Sequence, residues 1–169
     1  KDSMLSSVDY DSDSKVFTFT WNTTEAGEDA GKTVVSLEGL IDAYELTGNE
    51  LALDVASKLG DWVYGRTSTW SAATQTTVLN VEYGGMNDCL YQLYSHTQSE
   101  NHLSAAHSFD EMTLFESLYN GDDVLNGKHA NTTIPKIIGA LNRYMVLGEG
   151  EEYYLQVAEN FWEIVVNNH

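Results

Sequence analysis

Basic residues are scarce in this sequence. Eight Lys and Arg stand against 26 Asp and Glu, a formal net charge of −18 over 169 residues. A surface so acidic repels nucleic acid, whose phosphates need Lys and Arg to neutralise them, and repels anionic membranes for the same reason. A neutral ligand such as a sugar meets no such barrier, and most of the acid reads as solvated surface. Cysteine occurs once, at Cys89, so no intrachain disulfide and no multi-cysteine zinc site can form within these residues. No apolar run approaches the roughly 20 residues of a membrane span. The chain opens Lys1-Asp2-Ser3, with neither an initiator Met nor an early apolar core, which reads as an excised piece or a processed product. Proline also occurs once. Pro135 lies in residues 127–136, a stretch that sets His129, Asn131, Thr132 and Thr133 just before an apolar, helix-period run.

A chain of this length defaults to one domain, and its 42% hydrophobic content is enough for a sizeable core. Residues 1–32 read as an N-terminal arm and loop. Ser and Asp dominate residues 1–14, which suggests a mobile arm. Val16 to Trp21 alternates with period two and is rich in Thr and aromatics, as in a strand or a segment laid over helices. From residue 33 to 169 the apolar spacing becomes helical. Leu37, Leu40, Ile41 and Tyr44 form one face, and Leu51, Val55, Leu59, Trp62 and Val63 the next. Similar runs begin at Met86, Leu103, Ile134 and Tyr154, the Leu103 run reaching Leu118 as one helix.

These runs repeat. Tyr44, Tyr94 and Tyr144 lie 50 residues apart, with Leu53 and Leu103 nine residues after the first two and Ala56 and Ala106 twelve after. In the third unit Leu155 and Ala158 come two residues late, and the loop around Gly148-Glu149-Gly150 carries the insertion. Three helical hairpins follow, each with a short inner turn and a longer link to the next, stacked as in a solenoid or an α/α toroid. The links, residues 65–85 and 119–133, emerge on one side of the stack and present helix N-termini, whose free N–H groups bind oxygen acceptors. Thr132 or Thr133 is placed to cap the third of these helices, and Pro135 suits its first turn.

The strings in those links resemble a known family. Glu82-Tyr83-Gly84-Gly85-Met86-Asn87-Asp88, with Leu90 and Leu93-Tyr94, is similar to a signature of the β-L-arabinofuranosidases of glycoside hydrolase family 127 and their relatives. So is Asp123-Val124-Leu125-Asn126-Gly127 running into His129-Ala130-Asn131-Thr132 and Ile134-Pro135-Lys136, with Gly139 and Phe161-Trp162 beyond. The resemblance covers about residues 37–169. It implies a portion of an (α/α)6 toroid that removes L-arabinofuranose or a related sugar from plant glycans. Carried over by position, His129, Asn131 and Thr132 match the second loop and Glu82 and Asn87 the first, as substrate-binding groups. Tyr83 or Trp70 would offer a ring face. The resemblance also implies a cysteine nucleophile on zinc, held by three cysteines and a glutamate, with a separate glutamate as acid/base, all from a region that would follow His169. None of these is expected in this chain, so the resemblance implies no catalytic residue, no metal ligand and no cofactor here, with zinc in the complete enzyme. Residues 32–39 also depart from the tyrosine-rich, histidine-containing string of the family.

Each candidate has a structural alternative. Asn131 can bond its own backbone, Asn87 can be a cap, and Glu82 can favour the following helix N-terminus. Asp88 reads as structural, Cys89 as a buried small hydrophobe, and His102 and His107 as residues on different helix faces. The rival to a carbohydrate-acting enzyme portion is a non-catalytic helical-repeat module that binds a glycan or a protein partner. Half a ring leaves apolar edges open, which predicts a homodimer, or a cover formed by Phe17, Phe19 and Trp21.

Overall fold

The computed structural model describes residues 5–11, 16–21, 29–80 and 83–169, with side chains from Leu37 onward. The two N-terminal segments are strands β1 (Leu5–Asp11) and β2 (Val16–Trp21), paired antiparallel with Val8 opposite Phe19 and Tyr10 opposite Phe17. The period-two segment is therefore a strand, and its partner lies inside the Ser/Asp-rich stretch that reads from sequence as a mobile arm. The described part of the loop expected over residues 22–32 is helical from Asp29, and residues 22–28 lie outside the described residues. The side chains of Phe17, Phe19 and Trp21, expected as a cover, lie outside them too.

The rest is helical: α1 (Asp29–Thr47), α2 (Glu50–Thr67), α3 (Ala72–Leu79), α4 (Met86–Thr97), α5 (Glu100–His107), α6 (Met112–Tyr119), α7 (Ala130–Leu147) and α8 (Glu152–Asn168). The expected hairpins are α1–α2, α4–α5 and α7–α8, each packed as a pair. Their inner turns are two residues at 48–49, two at 98–99 and four at 148–151, so the insertion sits where the repeat places it. Each turn begins with a left-handed residue, Gly48 (φ 68°), Gln98 (φ 53°) and Gly148 (φ 77°). Glycine enters this region without steric cost; Gln98 does not, and its side-chain amide donates to the carbonyls of Tyr94 and Ser95.

The first helices of the hairpins form one row, with α4 between α1 and α7. Opposite this row α2 packs against α5, and the link helix α6 packs against α8. Apolar side chains fill the space between rows. Around α4 they include Ile41, Leu90, Tyr91 and Leu93, all fully buried, and around α6 and α8 they include Phe115, Leu118 and Val157. Each such aliphatic side chain contributes about 1.5–3 kcal/mol on leaving water. Between the first-row helices the repeat reappears as polar chemistry. Gln92 donates to Glu38 of α1 and to Asp88, and Asn142 of α7 donates to Asp88. Residues 38 and 88 are one repeat apart, as are 92 and 142, so the same two positions bond across both junctions. Burial raises the carboxyl pKa of Asp88, and burial with the nearby Asp88 charge raises that of Glu38.

Two differences from the sequence reading shape the molecule. The link after α2 contains α3, capped by Ser71, whose hydroxyl accepts from the Thr74 amide at 3.1 Å. The run from Leu103 to Leu118 is not one helix: it stops after His107 and restarts at Met112. Helix α7 also starts early, with His129 as its N-cap. Thr132 and Thr133 therefore lie inside its first turns, where they cap nothing, and Pro135 lies in the helix interior, not at its start.

Candidate functional site

The N-terminal end of α7 borders a cleft of about 250 Å³. Lys128 and His129 line it from just before α7 and Thr132, Thr133 and Lys136 from α7 itself, Glu111 from the N-cap of α6 and Leu114 from that helix, and Leu79 and Asn80 from the end of α3. The helix break and the short helix in the link, neither expected from sequence, thus build two of its three walls. His129 turns its Nδ1 to Asn131 Oδ1 at 3.1 Å, and the Thr132 hydroxyl donates to the His129 carbonyl at 3.0 Å. The His129 side chain is solvent-exposed and that of Thr132 is half-buried. Deeper in, Lys136 Nζ pairs with Glu111 Oε2 at 2.5 Å, with little exposure on either side chain. The same ammonium lies 4.5 Å from the centre of the Tyr83 ring, a cation–π contact. Tyr83 is itself fixed, since its hydroxyl donates to the Phe109 carbonyl at 2.9 Å.

Behind Glu111 lies its neighbour Asp110, in the helix break. Its buried carboxylate receives Tyr91 Oη at 2.6 Å, Arg143 Nη1 at 2.8 Å and Asn87 Nδ2 at 3.3 Å. Arg143 also grips Glu151 from its Nε at 2.7 Å, joining α7 to the start of α8. Burial pushes the Asp110 carboxyl above the usual carboxylate range, and its three donors oppose that push. Burial and the Asp110 charge push the Tyr91 phenol up, so Tyr91 serves as a neutral donor. The two acids have opposite surroundings: Asp110 is clamped by the core, and Glu111 faces the cleft.

The structure brings His129 and Thr132 to the cleft wall, with Asn131 beside His129 but off the lining. Asn87 lies elsewhere. It is fully buried at the junction of α4 and α7, where its Nδ2 also donates to the Lys136 carbonyl at 3.0 Å and its Oδ1 has no partner. It caps nothing, since the N-cap of α4 is Gly85. Its amide lies flat against Gly139, where a Cβ would overlap its side-chain atoms. Glu82 lies outside the described residues. The glycine-bearing loop lies against α7: a Cβ on Gly85 would lie 3.6 Å from that of Pro135. Tyr83 is buried beneath Lys136 instead of offering a free ring face, and Trp70 packs edge-on against Phe109. His102 is fully buried, bonded to Thr97 and to the Ser57 carbonyl. Cys89 is fully buried, with Sγ directed at the Met86 carbonyl and its thiol pKa pushed up by burial. Among the described residues no group of three His, Cys, Asp or Glu is clustered to hold a metal ion, and no helix is long and apolar enough to cross a membrane.

Glu111 and Lys136 are among the cleft-lining residues that sequence reasoning did not single out. They lie 25 residues apart, and only the helix break brings them together. A sign of that break was present: an Asp-Glu pair interrupts the run between Phe109 and Met112. Compared with protein families, residues 33–169 match the model described as β-L-arabinofuranosidase, GH127 catalytic domain. No curated protein matches the chain.

Proposed function

The chain belongs to the GH127 β-L-arabinofuranosidase catalytic-domain family, and on that premise we propose that the cleft at the head of α7 holds the terminal sugar, of L-arabinofuranose type, of a plant glycan. One observation carries this reading: His129 and Thr132, the family-like string, line a cleft whose other walls set Glu111 and Asn80 beside the apolar Leu114 and Leu79. Ligand pockets for drug-sized molecules span about 300–1,000 Å³, so a space of about 250 Å³ suits one sugar ring. Its groups suit hydroxyls, with donors and acceptors from His129, Thr132, Thr133, Lys136 and Glu111. The three hairpins would then form part of an (α/α)6 ring whose first-row helices surround the sugar, with the α7 edge, where Ile134, Ile138 and Met145 are exposed, open to further helices or to a second copy.

Zinc held by thiolates is the cofactor that the family resemblance implies. The residues of this chain do not fit it. The one cysteine is sealed in the core with a thiol pKa raised by burial, whereas a zinc ligand is a thiolate, and among the described residues no His, Cys, Asp or Glu cluster forms a metal site around it. The role proposed for this chain is therefore substrate holding. The test is isothermal titration of the chain with methyl β-L-arabinofuranoside, followed by amide shifts in residues 127–136. Binding that His129→Ala weakens about tenfold is expected. Binding with no shift in residues 127–136 would place the sugar elsewhere.

A further inference from the structure

We propose that Glu111 and Lys136 act as one bidentate grip on two adjacent hydroxyls of a neutral sugar and set the specificity of the cleft; this rests on the cleft being a sugar site. A carboxylate only accepts hydrogen bonds and an ammonium only donates them, whereas a hydroxyl does both. Placed side by side, they match a vicinal diol: one hydroxyl donates to the carboxylate and its neighbour accepts from the ammonium. Both bonds are charge-assisted and stronger than neutral ones.

The geometry leaves room for this. Glu111 spends Oε2 on Lys136, and its Oε1 has no hydrogen-bond partner among the described residues. Lys136 has three protons; one goes to Glu111, and the Tyr83 ring lies under the ammonium. Both groups line the cleft beside His129 and Thr132. Their position is fixed from behind. Glu111 follows Asp110, whose carboxylate is held by three side chains, and the Lys136 carbonyl is held by Asn87. The pair is locally neutral, so a neutral ligand need not strip water from either of its charges alone, and the exposed Lys128 keeps its own water.

The experiment measures the affinity of wild type, Glu111→Gln, Lys136→Met and His129→Ala for methyl β-L-arabinofuranoside and for its 2-O-methyl and 3-O-methyl ethers, with circular dichroism as a check on folding. Glu111→Gln is nearly isosteric and carries the test if Lys136→Met does not fold. Glu111→Gln is expected to bind the parent sugar about tenfold more weakly. Wild type is expected to bind at least one ether about tenfold more weakly than the parent, and that penalty is expected to shrink in Glu111→Gln because the same bond is already lost. If His129→Ala weakens binding but Glu111→Gln does not, the grip is refuted and the sugar cleft stands. If wild type binds none of these sugars, the cleft reading fails and the grip falls with it.

Discussion

Replacing Gly139 by alanine sets two physical effects against each other. Alanine is the better helix former, and in an exposed helix interior the exchange stabilises by roughly 0.5–1 kcal/mol. Gly139, however, is where α7 packs on Asn87 of α4, and the new methyl would occupy the space of the Asn87 amide. Asn87 is fully buried and has nowhere to swing. Moving it loosens its bonds to the Lys136 carbonyl and Asp110. Overpacking of this kind costs about 1–3 kcal/mol, and each buried partner left unbonded about 1–3 kcal/mol more. Even at the low end of those ranges, with helix propensity subtracted, the net is a loss of about 2 kcal/mol. For a domain of this size that lowers Tm by about 4–8 °C. Thermal and urea unfolding of Gly139→Ala measure it, with Gly39→Ala as the internal control. Gly39 also lies inside a helix, but a Cβ there meets nothing within 4 Å, so it should gain stability. Adding Asn87→Ala to Gly139→Ala should cost less than the two single losses summed, because the clash has gone. If Gly139→Ala raises Tm as Gly39→Ala does, the account of the α4–α7 contact is wrong.

Three further outcomes are expected. Arg143→Ala strands the buried Asp110 carboxylate and should cost about 3–5 kcal/mol in urea unfolding, with Asp110→Asn recovering part of it; an equal loss in both backgrounds would dissociate the two residues. Gln98→Gly should gain up to about 1 kcal/mol by relieving the left-handed backbone; a clear loss would show that the amide bonds to Tyr94 and Ser95 outweigh the strain. The raised carboxyl groups of Glu38 and Asp88 make the folded state hold its protons longer than the unfolded chain does. Their contribution to stability is complete below the ordinary carboxylate pKa of about 4 and is lost as pH rises through the raised folded values. Tm should therefore climb as pH falls from neutral toward the ordinary carboxylate range, and Asp88→Asn should flatten the climb; an unchanged slope would remove Asp88 from the cause.

The hairpins were legible because their signals are local and repeated: three-to-four spacing, tyrosines 50 residues apart, and a two-residue lag that became a four-residue turn at 148–151. The breaks were less legible. Spacing alone carried Leu103 to Leu118 as one helix, since apolar residues persist on both sides of the Asp110-Glu111 step. Helix α3, AATQTTVL, is rich in Thr, and its cap at Ser71 was the only strong local sign. Pro135 read as a helix start because proline favours the first turn, but here packing holds it inside α7. At the cleft, His129 and Thr132 came from a contiguous string, whereas the Glu111–Lys136 pair is a product of tertiary structure. Asn87 belonged to an equally suggestive string, and only burial distinguishes its place at the helix junction from one on the cleft wall.

The step between Asp110 and Glu111 has a consequence for the thermodynamics of binding. A flexible surface glutamate surrenders up to about 1.5–2 kcal/mol of rotamer entropy when a ligand orders it. Glu111 has given up much of that freedom during folding, because its backbone is tethered to a clamped neighbour and its carboxylate to a lysine seated on an aromatic ring. Ligand capture at this cleft should thus show a small entropic penalty and little loop reorganisation, the calorimetric mark of a preorganised receptor.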